Sequence, residues 1–369
     1  MTTQELFFKL LRYKSITPND DGALSFIADY LSEYKHTIID VEDTKNLFIY
    51  KKFGDGPHLS FAGHIDVVPP GKGWDSEPFE PILKDGKVYA RGTQDMKSGV
   101  CAFVQAMKRT KEFDGTLSVI LTSDEEGDAT HGTIEVLKHL KEIDFLPDYC
   151  VVAEPTSEDE FGDAIKIGRR GSINGYLYIK GKQGHAAYPE KSINPISMIA
   201  PILDKMADYY FDEGDDDFAP SQLVITDIRA GMEVTNVTPN DLNMMFNVRN
   251  STKTTKDDIE NFIGELCTDL DYTLKLTQGS FPFVTCRDSL IVNAIQNALK
   301  EETGSIAKLS TAGGTSDARY ISQFGIDSIE CGVINDTIHA INERCGMNEV
   351  EKLEKVFLHV IKNFKGDIK

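Results

Sequence analysis

No apolar run in the chain approaches the roughly 18 to 20 residues that a membrane-spanning helix needs. Positive charge is also short. Lysine and arginine number 39 against 59 aspartates and glutamates, a formal net charge of −20. The basic footprint required by nucleic acid or by an anionic membrane surface is missing, so neither is expected as a partner. The acidic excess serves solubility. Six cysteines (Cys101, Cys150, Cys267, Cys286, Cys331, Cys345) are scattered without a Cys-x-x-Cys pair. Several lie in apolar runs, where a reduced, buried thiol is the default. The start, Met1-Thr2-Thr3-Gln4-Glu5, has neither the basic stretch nor the cleavage site of a secretory leader. A cytoplasmic protein is expected, and the Asn-x-Thr/Ser matches at Asn236, Asn250 and Asn335 are then chance. There is no internal repeat, and the one biased tract, Asp212 to Asp217, reads as a solvated loop.

What is present is a change of rhythm. A chain of 369 residues exceeds one typical core and predicts two domains. Thr2 and Glu5 have capping-box spacing ahead of a helix to Leu11. Strand-like runs (His58 to Ala62, Lys87 to Arg91, Leu117 to Thr122, Tyr149 to Ala153) then alternate with helical ones (Asp95 to Arg109, Thr133 to Leu140). That alternation predicts an α/β domain whose strands are buried on both faces. From Ser172 the order becomes strand, helix (Pro195 to Tyr210), strand (Gln222 to Ile228), strand (Asp241 to Arg249), helix (Asp257 to Asp269), strand (Tyr272 to Thr277). This β-α-β-β-α-β succession is the ferredoxin-like pattern. Beyond residue 285 come a helix (Leu290 to Glu302), a strand (Ser328 to Val333) and a helix (Asn348 to Phe364) with Asn348/Glu351 at capping-box spacing. The expectation is an α/β catalytic domain with a mixed sheet flanked by helices. It is discontinuous, spanning 1–171 and 285–369, with an inserted α+β domain at 172–284.

Short acidic loops follow the apolar runs: Gly63-His64-Ile65-Asp66, Gln94-Asp95-Met96, Asp124-Glu125-Glu126-Gly127 and Ala153-Glu154-Pro155. Ile338-His339-Ala340 comes almost two hundred residues later. Singly, each has an ordinary reading; an Asp before a helix is an N-cap and a Glu-Glu pair is surface. Together they supply two imidazoles and a surplus of carboxylates, a set suited to zinc or a similar divalent metal. In open α/β sheets such groups converge beyond the carboxyl ends of the strands.

The stretches Gly-His-Ile-Asp-Val-Val-Pro-Pro-Gly (63–71), Tyr-Ala-Arg-Gly-Thr-Gln-Asp-Met-Lys-Ser-Gly (89–99), Thr-Ser-Asp-Glu-Glu-Gly (122–127) and Glu-Pro-Thr (154–156) resemble the M20 group of dinuclear zinc aminoacylases and carboxypeptidases. The resemblance covers the chain in order and implies a zinc-peptidase-like catalytic domain holding two Zn²⁺ per subunit, with Co²⁺ able to replace one. It implies that Asp95 bridges the metals, that His64 and Glu154 complete one site, and that Glu126 and His339 complete the other. Glu125 would be the unligated general base, and Asp66 the carboxylate that holds the His64 ring. Physical chemistry agrees: two divalent cations about 3.5 to 4 Å apart polarise a carbonyl and activate water. A His-x-Asp spacing suits a carboxylate–histidine–metal relay.

The resemblance further implies that the insertion forms a homodimer, and that His185, in Gly184-His185-Ala186-Ala187-Tyr188, stabilises the oxyanion in the partner's site. The implied substrate is a small molecule with several carboxylates. Arg169 and Arg249 offer guanidinium forks for these. Thr311 to Ser316, with Gly314 and Thr315, offers backbone N–H groups for an anion. Ser172, Tyr188, Asn236 and Asn335 are further candidate contacts. One departure is Thr235-Asn236, where the nearest members of the group often carry consecutive asparagines. The readings left open are which N-acyl amino acid deacylase or carboxypeptidase this is, and a non-catalytic homologue that kept the fold. Glu125, dispensable for holding metal, weighs against the last.

Overall fold

The computed structural model describes residues 1–314 and 316–365. They divide into two compact units. One comprises residues 1–168, 285–310 and 316–365; the other comprises 169–284 with 311–314.

The first unit is built on an eight-stranded sheet in the order Lys35–Val41, Thr44–Lys52, Thr116–Thr122, His58–His64, Tyr149–Val152, Asp327–Glu330, Ala164–Lys166, Lys308–Ser310. The four middle strands, 116–122, 58–64, 149–152 and 327–330, are mutually parallel. Their side chains are buried on both faces: 58–64, 116–122 and 149–152 have no residue outside the core. Helices supply the cover. Phe61 of the central strand lies 5.7 Å from Phe103 and 5.1 Å from Phe357, ring centre to ring centre. Those rings belong to the helices Lys97–Arg109 and Met347–Asn363. From the central strand the chain moves to one neighbour (116–122) and then crosses to the other (149–152). The carboxyl end of 58–64 is therefore the point where strand order reverses, the place where α/β sheets leave a crevice.

The second unit has the order β-α-β-β-α-β: Ser172–Lys180, Pro195–Met206, Gln222–Ala230, Asp241–Arg249, Lys256–Leu266, Tyr272–Ser280. Its sheet runs 222–230, 241–249, 172–180, 272–280, every neighbouring pair antiparallel. Strand 172–180 alternates strictly between buried and exposed residues, so one face carries the core (Ile173, Leu177, Ile179). The other face shows Tyr176 and Tyr178 to solvent.

Several local expectations change. The strand at Lys87–Tyr89 leaves the main sheet and joins Ile82–Lys84 and Arg344–Gly346 in a small antiparallel sheet. The helix expected to Tyr210 stops at Met206, because Ala207 turns extended and Asp208 takes φ +55°. The strand expected to Val333 ends at Glu330. The last helix begins at Met347, a residue early. Its cap is the Gly346 N–H donating to Glu349 Oε1 at 3.2 Å, so the Asn348/Glu351 box does not form. The 35–52 hairpin carries no sequence signal on its outer strand, whose residues are almost all exposed.

The turn after Tyr149–Val152 is gripped from two sides by glycine. A Cβ on Gly99 would lie 2.1 Å from the Ala153 carbonyl oxygen, and one on Gly332 would lie 2.2 Å from that of Glu154. Both contacts are with backbone, which cannot swing away. Gly332→Ala is expected to cost about 1 to 3 kcal/mol through overpacking, read as a lower urea midpoint. Wild-type stability would mean that the 153–154 segment retreats freely.

Candidate metal centre

Four loops leave the carboxyl ends of the parallel strands and carry chemistry. His64 is the last residue of its strand. Glu125 and Glu126 follow 116–122, Glu154 follows 149–152, and His339 lies beyond 327–330. Asp95 arrives differently, in the turn between the small sheet and the helix Lys97–Arg109. His339 sits at φ +58°, in the left-handed region that histidine enters more readily than most residues.

These side chains converge. His64 Nε2 lies 3.1 Å from Asp95 Oδ1 and 3.8 Å from Glu154 Oε1. His339 Nε2 lies 3.2 Å from Asp95 Oδ2 and 3.0 Å from Glu126 Oε1. The two oxygens of one carboxylate thus face two different imidazoles. Metal–ligand bonds of about 2.0 to 2.2 Å set tetrahedral neighbours roughly 3.4 Å apart, and these separations bracket that value. His64, Glu125 and Glu154 form one group able to hold a metal ion, and His64, Asp95 and Glu126 another. His64 is sealed from solvent, whereas the His339 side chain is 50% exposed, so the cluster meets solvent on the His339 side.

His64 Nδ1 donates to the Asp66 carbonyl oxygen at 2.9 Å. With Nδ1 carrying its proton, the Nε2 lone pair is aimed at the cluster, as a metal ligand requires. The Asp66 carboxylate is farther from that ring, 3.5 Å from Nδ1. Its Oδ1 accepts the Glu125 N–H at 3.4 Å and its Oδ2 the Glu126 N–H at 3.1 Å. Asp66 therefore fixes the Glu125–Glu126 turn with its side chain and the histidine mainly with its backbone, where the sequence suggested the carboxylate alone.

The electrostatics describe a cluster short of positive charge. Burial pushes Glu125 up to about 8, with Asp317, Asp95 and Glu126 adding and His64 opposing. Burial and Asp95 raise Glu154 well above the carboxylate range. Asp95 and Glu126 raise His339 to about 10, and Asp66 and Asp95 raise His64 despite complete burial. Divalent cations among these groups would neutralise the carboxylates and release the imidazole protons. The donor set fits such a pair, since buried carboxylates persist only when paired or coordinating.

Three further groups around the cluster were given no role by the sequence. Glu343, buried, accepts four N–H bonds from residues 91–95. Asp317, buried, accepts from the Thr133 hydroxyl at 2.7 Å. Lys97, fully buried, donates to the Tyr13 carbonyl at 2.9 Å, and burial lowers it to about 7. Each is a polar residue whose burial only the tertiary fold produces.

Most candidate substrate contacts belong to the second unit. His185 is exposed on the short strand Gly184–His185, which pairs with Val237–Thr238, and its Nδ1 accepts the Ala187 N–H at 3.0 Å. Tyr188 stands 5.8 Å from its ring. The Asn236 carbonyl accepts from the Ala186 N–H at 3.0 Å, joining the two segments. Ser172 accepts from Asn247 at 2.9 Å, and Arg249, exposed, ends the Asp241–Arg249 strand. Arg169 is buried and donates to the Ala312 carbonyl at 2.9 Å, so part of its fork secures the 311–314 loop. Gly314 in that loop is exposed, and Thr315 lies outside the described residues. Asn335, half-buried, belongs to the first unit, its N–H donating to the Ser157 carbonyl at 3.2 Å.

A parallel-strand edge that gathers His64, His339 and the carboxylates of Asp66, Asp95, Glu125, Glu126 and Glu154 defines a metal-dependent hydrolase. The chain matches the model of peptidase family M20/M25/M40 over residues 60–363 and belongs to that family. It is 62% identical over 366 residues to a succinyl-diaminopimelate desuccinylase of Aliarcobacter butzleri, covering 99% of this chain and 100% of the relative. It is 60% identical over 365 residues to one of Sulfurimonas denitrificans, with 99% and 100% covered. Among solved structures, aminopeptidase PepT of Bacillus cereus is similar at a TM-score of 0.82 and 19% identity, covering 98% of this chain and 97% of that one. The YXEP protein of Bacillus subtilis, a dinuclear metal-binding M20 peptidase, is similar at a TM-score of 0.71 and 15% identity, covering 97% and 96%. These structural likenesses establish a shared fold.

Asp66→Ala would leave two amides of the Glu125–Glu126 turn without their acceptor. Metal affinity is expected to fall about tenfold to a hundredfold, measured by equilibrium dialysis. Wild-type affinity would mean that the turn keeps its shape unaided.

Proposed function

We propose that the protein is a succinyl-diaminopimelate desuccinylase. It hydrolyses the amide of N-succinyl-LL-2,6-diaminopimelate to succinate and LL-2,6-diaminopimelate, a step of diaminopimelate and lysine biosynthesis. The observation that carries this reading is full-length identity to relatives of that name, from 62% down to 52% over at least 97% of the chain.

In this proposal His64 and Glu154 would hold one Zn²⁺ of each subunit and Glu126 and His339 the other, with Asp95 shared. Co²⁺ is accepted in place of one, since these ligand types suit both ions. When bound, such a pair polarises the amide carbonyl and makes water acidic near neutral pH. Glu125 accepts the proton of the attacking water and hands it to the leaving amine. Its carboxylate lies within the same cluster as His64 and Glu154. The family resemblance supports the role of base. Asp66 keeps Glu125 and Glu126 in their divided orientations.

The second unit serves as the dimerisation element and the source of an oxyanion donor. Its sheet ends in the strands Gln222–Ala230 and Tyr272–Ser280, each with one neighbour, and such edges pair across a two-fold axis. His185 Nδ1 is occupied by the Ala187 N–H, which leaves the proton on Nε2. An exposed Nε2–H is a donor suited to a developing oxyanion in the partner's site. Arg169 and Arg249 would offer guanidinium forks to substrate carboxylates, and Ser172, Tyr188, Asn236, Gly314, Thr315 and Asn335 are the further candidate contacts. The free cysteines, five of the six buried, suit a reducing cytoplasm.

Metal content and turnover measured on one sample test the assignment. The succinylated substrate is expected to be cleaved and N-acetylornithine to be poor; equal or better turnover of the acetylated compound would overturn it. In Glu125→Ala, kcat should drop by about 10² to 10⁴ with both metals retained. Wild-type rates would refute the proposed base.

A further inference from the structure

The segments that bring Asp95 and His339 to the cluster lie more than two hundred residues apart and share one anchor. Glu343 is completely buried. Its Oε2 accepts Arg91 Nη1 at 2.7 Å and the Gly92 N–H at 2.9 Å. Its Oε1 accepts the Gln94 N–H at 2.7 Å and the Asp95 N–H at 3.3 Å. Two carboxylate oxygens offer about four lone-pair sites, so the side chain is saturated, and every donor comes from the five residues that end in Asp95. That stretch is a turn with no ladder of its own to fix it.

The same anchor reaches the other ligand. Glu343 stands four residues after His339, and its partner Arg91 also donates to the His339 carbonyl through Nη2 at 3.4 Å. Gln94 tightens the link: its Oε1 accepts the Thr337 N–H at 2.8 Å and its Nε2 donates to Asp336 Oδ1 at 2.5 Å. Asp95 can face both His64 and His339 only if these two loops keep their register to a few tenths of an ångström. Nothing in the reaction requires Glu343 to touch substrate, and its burial keeps it from doing so.

We propose that Glu343 is a positioning residue: it holds the Asp95 turn against the His339 loop so that one carboxylate spans two metal ions. The proposal rests on the dinuclear reading of the cluster and not on the identity of the substrate. Loss of this anchor leaves single ligands in place but misaligns the shared one. The second metal ion, which depends on Asp95 and His339 together, is therefore the one that suffers.

Co²⁺ titration of the metal-free full-length protein, followed by its visible absorption, tests this without substrate. In Glu343→Gln one oxygen becomes an NH₂ group that confronts N–H donors. The second Co²⁺ equivalent should bind about tenfold to a hundredfold more weakly, with an altered spectrum. The same variant should lose kcat by a comparable factor and keep KM within threefold. Glu343→Asp keeps the charge and both acceptor oxygens on a shorter arm, should recover part of both losses, and gives the reading if the glutamine variant does not fold. A folded variant that takes up both equivalents with wild-type affinity and spectrum overturns the proposal, even if its melting temperature falls. Wild-type protein that binds only one equivalent would refute the dinuclear reading, and the proposal with it.

Discussion

The first unit depends on one electrostatic constraint: several carboxylates and two imidazoles must stay together at a buried sheet edge. Asp95 concentrates that constraint, because its oxygens point at His64 and His339 at 3.1 and 3.2 Å. Without cations the carboxylates of Glu125 and Glu154 resist charge, as their upward shifts express. Cations resolve the conflict, and the site's chemistry follows from that need. Groups crowded enough to require metal are also close enough to act on a single amide.

Crowding of this kind survives only if the backbone cannot relax away from it. Each segment that carries a candidate ligand is accordingly fixed by a group outside the candidate set. The Asp66 carboxylate takes the amides of Glu125 and Glu126. Glycines at 99 and 332 let neighbouring chain press against Ala153 and Glu154. Glu343 ties the Asp95 turn to the loop of His339. These supports are buried polar contacts and close backbone approaches, and they hold orientation better than apolar packing would.

The second unit works under a different rule. Its sheet buries one face on two helices and leaves the other wet, with edge strands on both sides. It keeps a histidine at the surface, aligned by a single backbone N–H, in contrast to the sealed His64. The role proposed for it, in the site of a second chain, calls for that exposure.

The sequence by itself determined the class of the molecule and its candidate ligands. Compact apolar runs mark the parallel strands and period-3.6 patterns their helices, and His64, Glu125, Glu126, Glu154 and His339 stand where those strands end. Short-range interactions settle such features, so they are written locally. The β-α-β-β-α-β order of the middle block is legible for the same reason. What only the tertiary structure decided is non-local. The Lys87–Tyr89 strand pairs with 344–346, far along the chain, so Asp95 enters from a small sheet rather than from the core. The last helix takes Glu349 instead of Glu351 for its cap, because Glu349 also serves the Ile334 N–H at 3.0 Å. Glu343 and Asp317 look like ordinary surface acids until long-range packing encloses them. A carboxylate's role is set by which donors surround it after folding, and in both cases those donors come from distant parts of the chain.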